Sequence, residues 1–216
     1  MSKAHISALL NFDIEKEYWQ KGLLVAGIDE VGRGCLAGPV TAAAVVFKIG
    51  ELPIRGVTDS KKLSPKEREK LYQKISEIAL DYSFSFIYNE DIDKINILKA
   101  TMLAMENAIL NLNNKPHQLL IDGNSFFNNS YTFKTIIKGD SISPSIAAAS
   151  IVAKVKRDQW MIEVADKEFP QYDFKTNKGY GTQKHIEAIK KYGICKYHRI
   201  SFLKNFISKQ NTLFNK

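Results

Sequence analysis

Four carboxylates in this 216-residue chain stand where apolar runs end. Asp29 and Glu30 follow the run that begins at Leu24, Asp122 closes His117–Asp122, and Asp140 follows Tyr131–Ile137. The carboxyl ends of strands are where the sites of α/β sheets assemble. Clustered carboxylates repel one another and stay ionised together only around a cation. Hard oxygen donors of this kind suit Mg²⁺ or Mn²⁺, and the chemistry expected is metal-assisted hydrolysis. Each acid also has a plainer reading. An Asp before Gly, as Asp122 is before Gly123, is a common turn residue. Neighbouring strand residues face opposite sides, so Asp29 and Glu30 reach one site only if the strand ends or bulges there. Gly32 offers a place for such a break.

Gly32-Arg33-Gly34-Cys35-Leu36-Ala37 fits the dinucleotide-binding pattern G-x-G-x-x-A. That pattern needs a helix beginning at the glycines. Gly38-Pro39 would break it at once, and two acids beside a pyrophosphate would repel it. The glycines suit close contact with a ligand instead. Without Cβ atoms the main chain approaches a bound group closely, and Arg33 adds a fork that pairs with phosphate. Among the other basic residues, Lys61 and Lys62 either touch phosphates or lie in a solvated loop. Lys154, Lys156 and Arg157 have helical spacing, for substrate contact or as an exposed helix face. His185 reads as a surface helix position or an aid to proton transfer, and Cys35 as a small packing residue.

Elements must hold these groups in place. Leu24–Asp29 reads as a buried strand, Pro39–Phe47 as its hairpin neighbour. Ser64-Pro65-Lys66-Glu67 is a helix start, with a capping Ser, Pro at the first helical position and Glu completing a capping box; this helix runs to about Leu80. Alternation over Tyr82–Tyr88 marks a strand, and Leu98, Met102, Met105 and Ile109 form the core stripe of a helix over Ile97–Leu112. His117–Asp122 and Tyr131–Ile137 are two more strands, and Ser145–Phe169 is a long Ala-rich helix. Thr182 caps a short helix that Gly193 ends. Paired strands followed by strands alternating with helices point to a mixed α/β sheet with helices on its faces.

Hydrophobic residues make up 44% of the chain, enough for a core. No apolar run is long enough for a membrane span, no secretory signal is evident, and Cys35 and Cys195 form neither a disulfide framework nor zinc spacing. A cytoplasmic monomer is expected. The formal charge is +8, and Lys154–Lys216 holds 14 Lys and Arg against 6 Asp and Glu, so all the excess lies there. Such an excess serves solubility or faces phosphates.

Asp29-Glu30-Val31-Gly32-Arg33-Gly34, followed by Leu36–Val40, resembles the signature of ribonuclease HII. Further segments are similar to that family in the same order: Asp59–Leu63, Asn96–Leu98 with Ala100–Met102, Lys138–Asp140 with Ser145–Ile151 and Ala153-Lys154, Arg157-Asp158, Gly179–Thr182 with His185, and His198-Arg199 with Ser201-Phe202. The resemblance implies a ribonuclease H-like mixed sheet flanked by helices, with a small helical C-terminal region. It implies an endonuclease that hydrolyses the RNA strand of RNA–DNA hybrids and cuts 5′ of single ribonucleotides in duplex DNA. Two Mg²⁺ or Mn²⁺ ions would serve that reaction, which leaves 3′-hydroxyl and 5′-phosphate ends. Asp29, Glu30, Asp122 and Asp140 would be the catalytic metal ligands. Gly32, Arg33 and Gly34 would contact the ribonucleotide, with Lys61, Lys154 and Arg157 as further substrate-binding candidates, and Tyr180 would read the RNA–DNA junction. The expected division is an N-terminal extension over 1–21, a catalytic core over 22–170, and a basic helical region and tail over 171–216. Gln210-Asn211-Thr212-Leu213-Phe214 resembles a short motif by which bacterial replication proteins bind a sliding clamp. Two rivals are a hybrid-binding module without catalysis, which has no need of four acids, and the sister type ribonuclease HIII. Arg33, where the sister type has Lys, and the short stretch before the first strand favour ribonuclease HII.

Overall fold

The computed structural model describes residues 9–57, 60–126 and 130–204. These residues hold a five-stranded sheet in the order β3-β2-β1-β4-β5. The strands are β1 (Val25–Val31), β2 (Val40–Val46), β3 (Asp81–Ile87), β4 (Gln118–Asp122) and β5 (Phe133–Ile136). β2 is antiparallel to β1 and β3, whereas β4 runs parallel to β1 and β5 parallel to β4. The strands expected from alternation and apolar runs are therefore present, and the sheet is mixed.

Strand alternation sorts β1 between two cores. Val25 and Val31 face the same side as helix α5 (Pro144–Trp160), while Ala26 and Ile28 face the side of α4 (Ile97–Leu110). α5 crosses β1 at Gly27, where a Cβ would lie 2.1 Å from the Ser145 carbonyl carbon. The run Ala147-Ala148-Ala149 on α5, fully buried, keeps that crossing close. Ser143 caps α5 by accepting from Ile146 N at 3.2 Å, and Pro144 begins it. The long Ala-rich helix does not stay α-helical throughout: beyond Trp160 it continues as a π-helical segment, Met161–Asp166. Helix α2 (Pro65–Ile78) opens with the expected capping box, Ser64 N donating to Glu67 Oε2 at 2.8 Å.

Part of the segment expected as an extension is built into the core. Helix α1 (Asp13–Trp19) has no strong periodic signal, yet Trp19 and the preceding Phe12 pack in the core beside α5, with Phe12 against Phe47. Glu15 of α1 is fully buried. Its Oε1 accepts from Ser143 Oγ at 2.5 Å and Ser145 N at 3.1 Å, placing a carboxylate at the positive end of α5. Asn96, with φ 69°, separates α3 (Asn89–Ile95) from α4 and caps α4 through its side chain. The C-terminal helices α6 (Phe174–Asn177) and α7 (Gln183–Tyr192) pack with Met161, Tyr172 and Leu203 over Ala37, in a third small core. No helix of the described residues is long and apolar enough to cross a membrane.

Candidate active site and nucleic-acid interface

Asp29 and Asp122 come together through register. β1 and β4 pair in parallel up to Ile28 with Ile121, so the next residues, Asp29 and Asp122, stand level on neighbouring strands. Both share the parity of the α5-facing residues, Val25 and Leu120. Glu30 faces the other side. β1 does not bulge here, because pairing with β2 continues through Val31 with Thr41. Its ladder with β4, however, has ended at Ile28, so on that side the strand is over and both acids can reach one site. The break on the β2 side follows only at Gly32, with φ +93°. Beyond Ile28 the three charges act on one another. Burial raises the Asp29 pKa well above the usual carboxylate range, and the charges of Glu30 and Asp122 raise it further. Burial also raises Glu30, while the Arg33 guanidinium, 3.2 Å from Glu30 Oε1, pulls it down.

Asp140 joins through the turn before α5. It lies in the 3₁₀ turn Gly139–Ser141, is 8% exposed, and follows Lys138, whose φ of 56° starts the turn. Gly139 N donates to Asp122 Oδ1 at 2.7 Å, tying that turn to the end of β4. All four expected carboxylates thus occupy one end of the sheet. The donor set fits hard divalent cations. Among the described residues no three His, Cys, Asp or Glu side chains form a ready-made cage. Asp122 turns one oxygen to Gly139 N–H and Glu30 turns to Arg33. Mg²⁺ sites typically draw on one or two carboxylates plus substrate phosphate, so an open cluster fits that ion as well as a cage would.

The glycine loop lies beside this cluster, with Arg33 and Gly34 exposed. A Cβ on Gly34 would meet nothing within 4 Å, which leaves room for a close ligand. Gly32 has a packing reason to be glycine: a Cβ there would lie 2.3 Å from Arg157 Nε. Arg157 corrects the sequence expectation. Its side chain does not face substrate but is fully buried, donating from Nε to Pro39 O at 2.8 Å, from Nη1 to Lys178 O at 2.8 Å and from Nη2 to Ala37 O at 3.1 Å. Helical spacing with Lys154 and Lys156 places it on α5 but cannot tell which of the three turns inward. Arg199, which spacing alone left without a role, is also fully buried and donates to Gly38 O and Arg33 O, each at 3.0 Å.

These guanidiniums bind the glycine loop to the Tyr180 turn as one body. Leu36 N donates to Gly179 O at 2.8 Å, and a Cβ on Gly179 would lie 2.3 Å from Ala37 O. Tyr180 is 39% exposed, and burial of its hydroxyl beside Cys35 pushes its pKa up to about 12, so it stays a hydrogen-bond donor. Lys154 Nζ lies 5.5 Å from the Tyr180 ring and 2.7 Å from Asp158 Oδ1. Both side chains line an open groove of about 370 Å³ that Arg68 and Lys178 also line. None of the four carboxylates lines this groove. Lys61 is exposed in the turn Ser60–Lys62, where Ser60 Oγ is 2.9 Å from Ser150 Oγ on α5. Burial overturns the surface reading of His185: it is fully buried on the inner face of α7 and pairs with His198. Asp59 and the Gln210–Phe214 motif lie outside the described residues.

Residues 26–205 match the family model for ribonuclease HII. The chain belongs to the ribonuclease HII family. Its relative in Caldicellulosiruptor bescii, named ribonuclease HII, is 50% identical over 198 residues, covering 91% of this chain and 95% of the relative. The crystal structure of ribonuclease H2 from Pyrococcus horikoshii superposes with a TM-score of 0.68 at 27% identity, covering 83% of this chain and 93% of that one. A PCNA–ribonuclease HII complex from Archaeoglobus fulgidus gives a TM-score of 0.69 at 27% identity, covering 82% of this chain and 94% of its counterpart. Ribonuclease HII membership makes the chain a ribonuclease H, a hydrolase that cuts within the RNA of RNA–DNA hybrids. The rival of a binding module without catalysis is set aside on that ground.

Proposed function

We propose that this enzyme cuts on the 5′ side of ribonucleotides, single ones in duplex DNA included, by metal-assisted hydrolysis at Asp29, Glu30, Asp122 and Asp140. The observation that carries the reading is the level placement of Asp29 and Asp122 at one sheet end, with the Asp140 turn tied to Asp122 through Gly139. Two Mg²⁺ or Mn²⁺ ions held there would neutralise the scissile phosphate, ready the attacking water and stabilise the leaving oxygen. Asp29, the most buried of the four acids, would hold the ions together with Glu30 and Asp122, and Asp140 would orient the water. Arg33 and the main chain of Gly32 and Gly34 would hold the ribonucleotide, offering donors and acceptors to its 2′-hydroxyl. Tyr180, fixed to the same body, would stack on the neighbouring sugar, while Lys61 and Lys154 would meet flanking phosphates. The products would carry 3′-hydroxyl and 5′-phosphate ends. The 22–170 core would carry the chemistry and the basic 171–216 region the duplex. Gln210–Phe214 would dock a sliding clamp, a reading supported by the PCNA complex of the Archaeoglobus relative.

Asp29→Asn tests the mechanism. Cleavage of a labelled hybrid should fall to background while hybrid binding persists, and EDTA should abolish cleavage by the parent protein. Activity surviving in EDTA or in Asp29→Asn would rule the mechanism out.

A further inference from the structure

The turn that carries Tyr180 rests on a pair of histidines whose proton positions can be deduced. His185 is fully buried and His198 is 1% exposed, and their Nε2 atoms lie 3.1 Å apart. Two protons between them would clash and none would leave no bond, so one ring donates and the other accepts. The outer nitrogens decide which. His198 Nδ1 accepts from Cys195 N–H at 2.9 Å and therefore carries no proton. A neutral His198 is then protonated at Nε2 and donates to His185 Nε2. His185 must carry its own proton on Nδ1, which lies 2.9 Å from the Tyr180 carbonyl oxygen and donates to it. Two neutral rings satisfy all three contacts in this order alone.

The surroundings hold the pair neutral. The rings of Tyr172 and Phe174 pack edge-on against it, and Cys195 Sγ lies 3.2 Å from His198 Nδ1. Burial lowers the pKa of both histidines, that of His198 to about 4. The chain neighbours add to the effect. Arg199, next to His198, donates to Arg33 O and Gly38 O. The dipeptide His198-Arg199 therefore reaches both halves of the proposed reading surface, the Tyr180 turn through His185 and the glycine loop directly.

We propose that His185 and His198 are positioning residues that fix Tyr180 relative to the Gly32–Gly34 loop and so set selectivity for an embedded ribonucleotide. The inference rests on the reading of Tyr180 as the residue that stacks on the sugar. The measured quantity is the ratio of kcat/KM on a duplex with one ribonucleotide to that on a long hybrid. His185→Leu loses both bonds, whereas His185→Asn keeps an amide donor where Nδ1 stood and loses only the bond to His198. His185→Leu should lower the ratio at least about fivefold, the low end of one lost stacking contact. His185→Asn should keep the parental ratio although both variants lose similar thermal stability. Long-range ¹H–¹⁵N NMR of the parent protein should show His185 protonated at Nδ1 and His198 at Nε2. Equal loss of ratio in the two variants, an unchanged ratio in His185→Leu, or the opposite tautomers would overturn the proposal. Tyr180→Ala separates the two levels. If it lowers the ratio and His185→Leu does not, the positioning role alone fails. If it leaves the ratio unchanged, the reading of Tyr180 fails and the inference with it.

Discussion

Arg157 and Lys154 sit three residues apart on one helix and spend their charges differently. Arg157 gives its donors to three main-chain carbonyls in the interior. Removing it leaves those oxygens buried without donors, at about 1–3 kcal/mol each. Arg157→Ala should therefore cost about 3 kcal/mol or more in urea unfolding and leave the salt slope of hybrid binding by the folded protein unchanged. A cost near zero would mean that water reaches those carbonyls. Lys154 is paired with Asp158 at the rim of the groove beside Tyr180. Lys154→Ala should cost little stability but reduce the slope of log affinity against log salt by about one. An unchanged slope would leave Lys154 with Asp158 as its partner and no phosphate. The difference was not legible in spacing. An i, i+3 pair shares a helix face broadly, and only the loop packed over α5 decides which side chain is roofed.

At the scale of elements, the crossing of α5 over β1 carries most of the site geometry, because α5 follows the Asp140 turn and presents Ser150 toward Asp29. The contact at Gly27 is main chain against main chain, so no rotamer change can relieve an added methyl group. Gly27→Ala should push α5 away, cost at least about 1–3 kcal/mol by denaturant unfolding, and lower cleavage along with stability. Parental stability would show that α5 slides freely. The C-terminal helices hang on the histidine pair, and acid should release them. His198 has an ordinary pKa near 6.5 when exposed and about 4 when folded. The unfolded chain thus binds the proton more readily, so stability is full above 6.5 and is lost as pH falls towards 4. His185, lowered likewise by burial, acts in the same direction. Thermal melts between those limits should fall in the parent protein and fall less in His198→Gln. A melt independent of pH there would show the pair to be protonated in the fold.

Across the whole molecule, charge and chemistry are divided along the chain. The excess of Lys and Arg begins at Lys154, after the last of the four carboxylates, so the acids occupy an electrically balanced portion and the basic groups flank it. Arg157 and Arg199 belong to that excess and are spent inside the protein. The surface available to phosphates is accordingly less basic than the sequence count. The proposed clamp motif, Gln210–Phe214, follows the last described helix in sequence. Deleting residues 210–216 should lower co-purification with a sliding clamp and leave cleavage of free duplex unchanged; equal recovery of clamp would remove the motif from consideration.

The sequence by itself determined the mixed sheet, the main helices and the four acids at strand ends. Alternation, caps and apolar runs are local signals, and an acid that closes a buried run needs no distant partner to be noticed. α1 escaped such reading because its place depends on one buried carboxylate, Glu15, capping a helix 128 residues later. Only the tertiary structure decided that Asp29 and Glu30 share one sheet end with Asp122, because that follows from the β1–β4 ladder ending at Ile28 with Ile121. It also decided that Arg157 and His185 face inward. The physical reason is common to both cases: whether a polar side chain meets water, substrate or a buried carbonyl depends on what packs over it. Arg157 is covered by Ala37, Pro39 and Lys178, distant in sequence from its helical neighbours, and His185 by His198, beyond the end of its own helix.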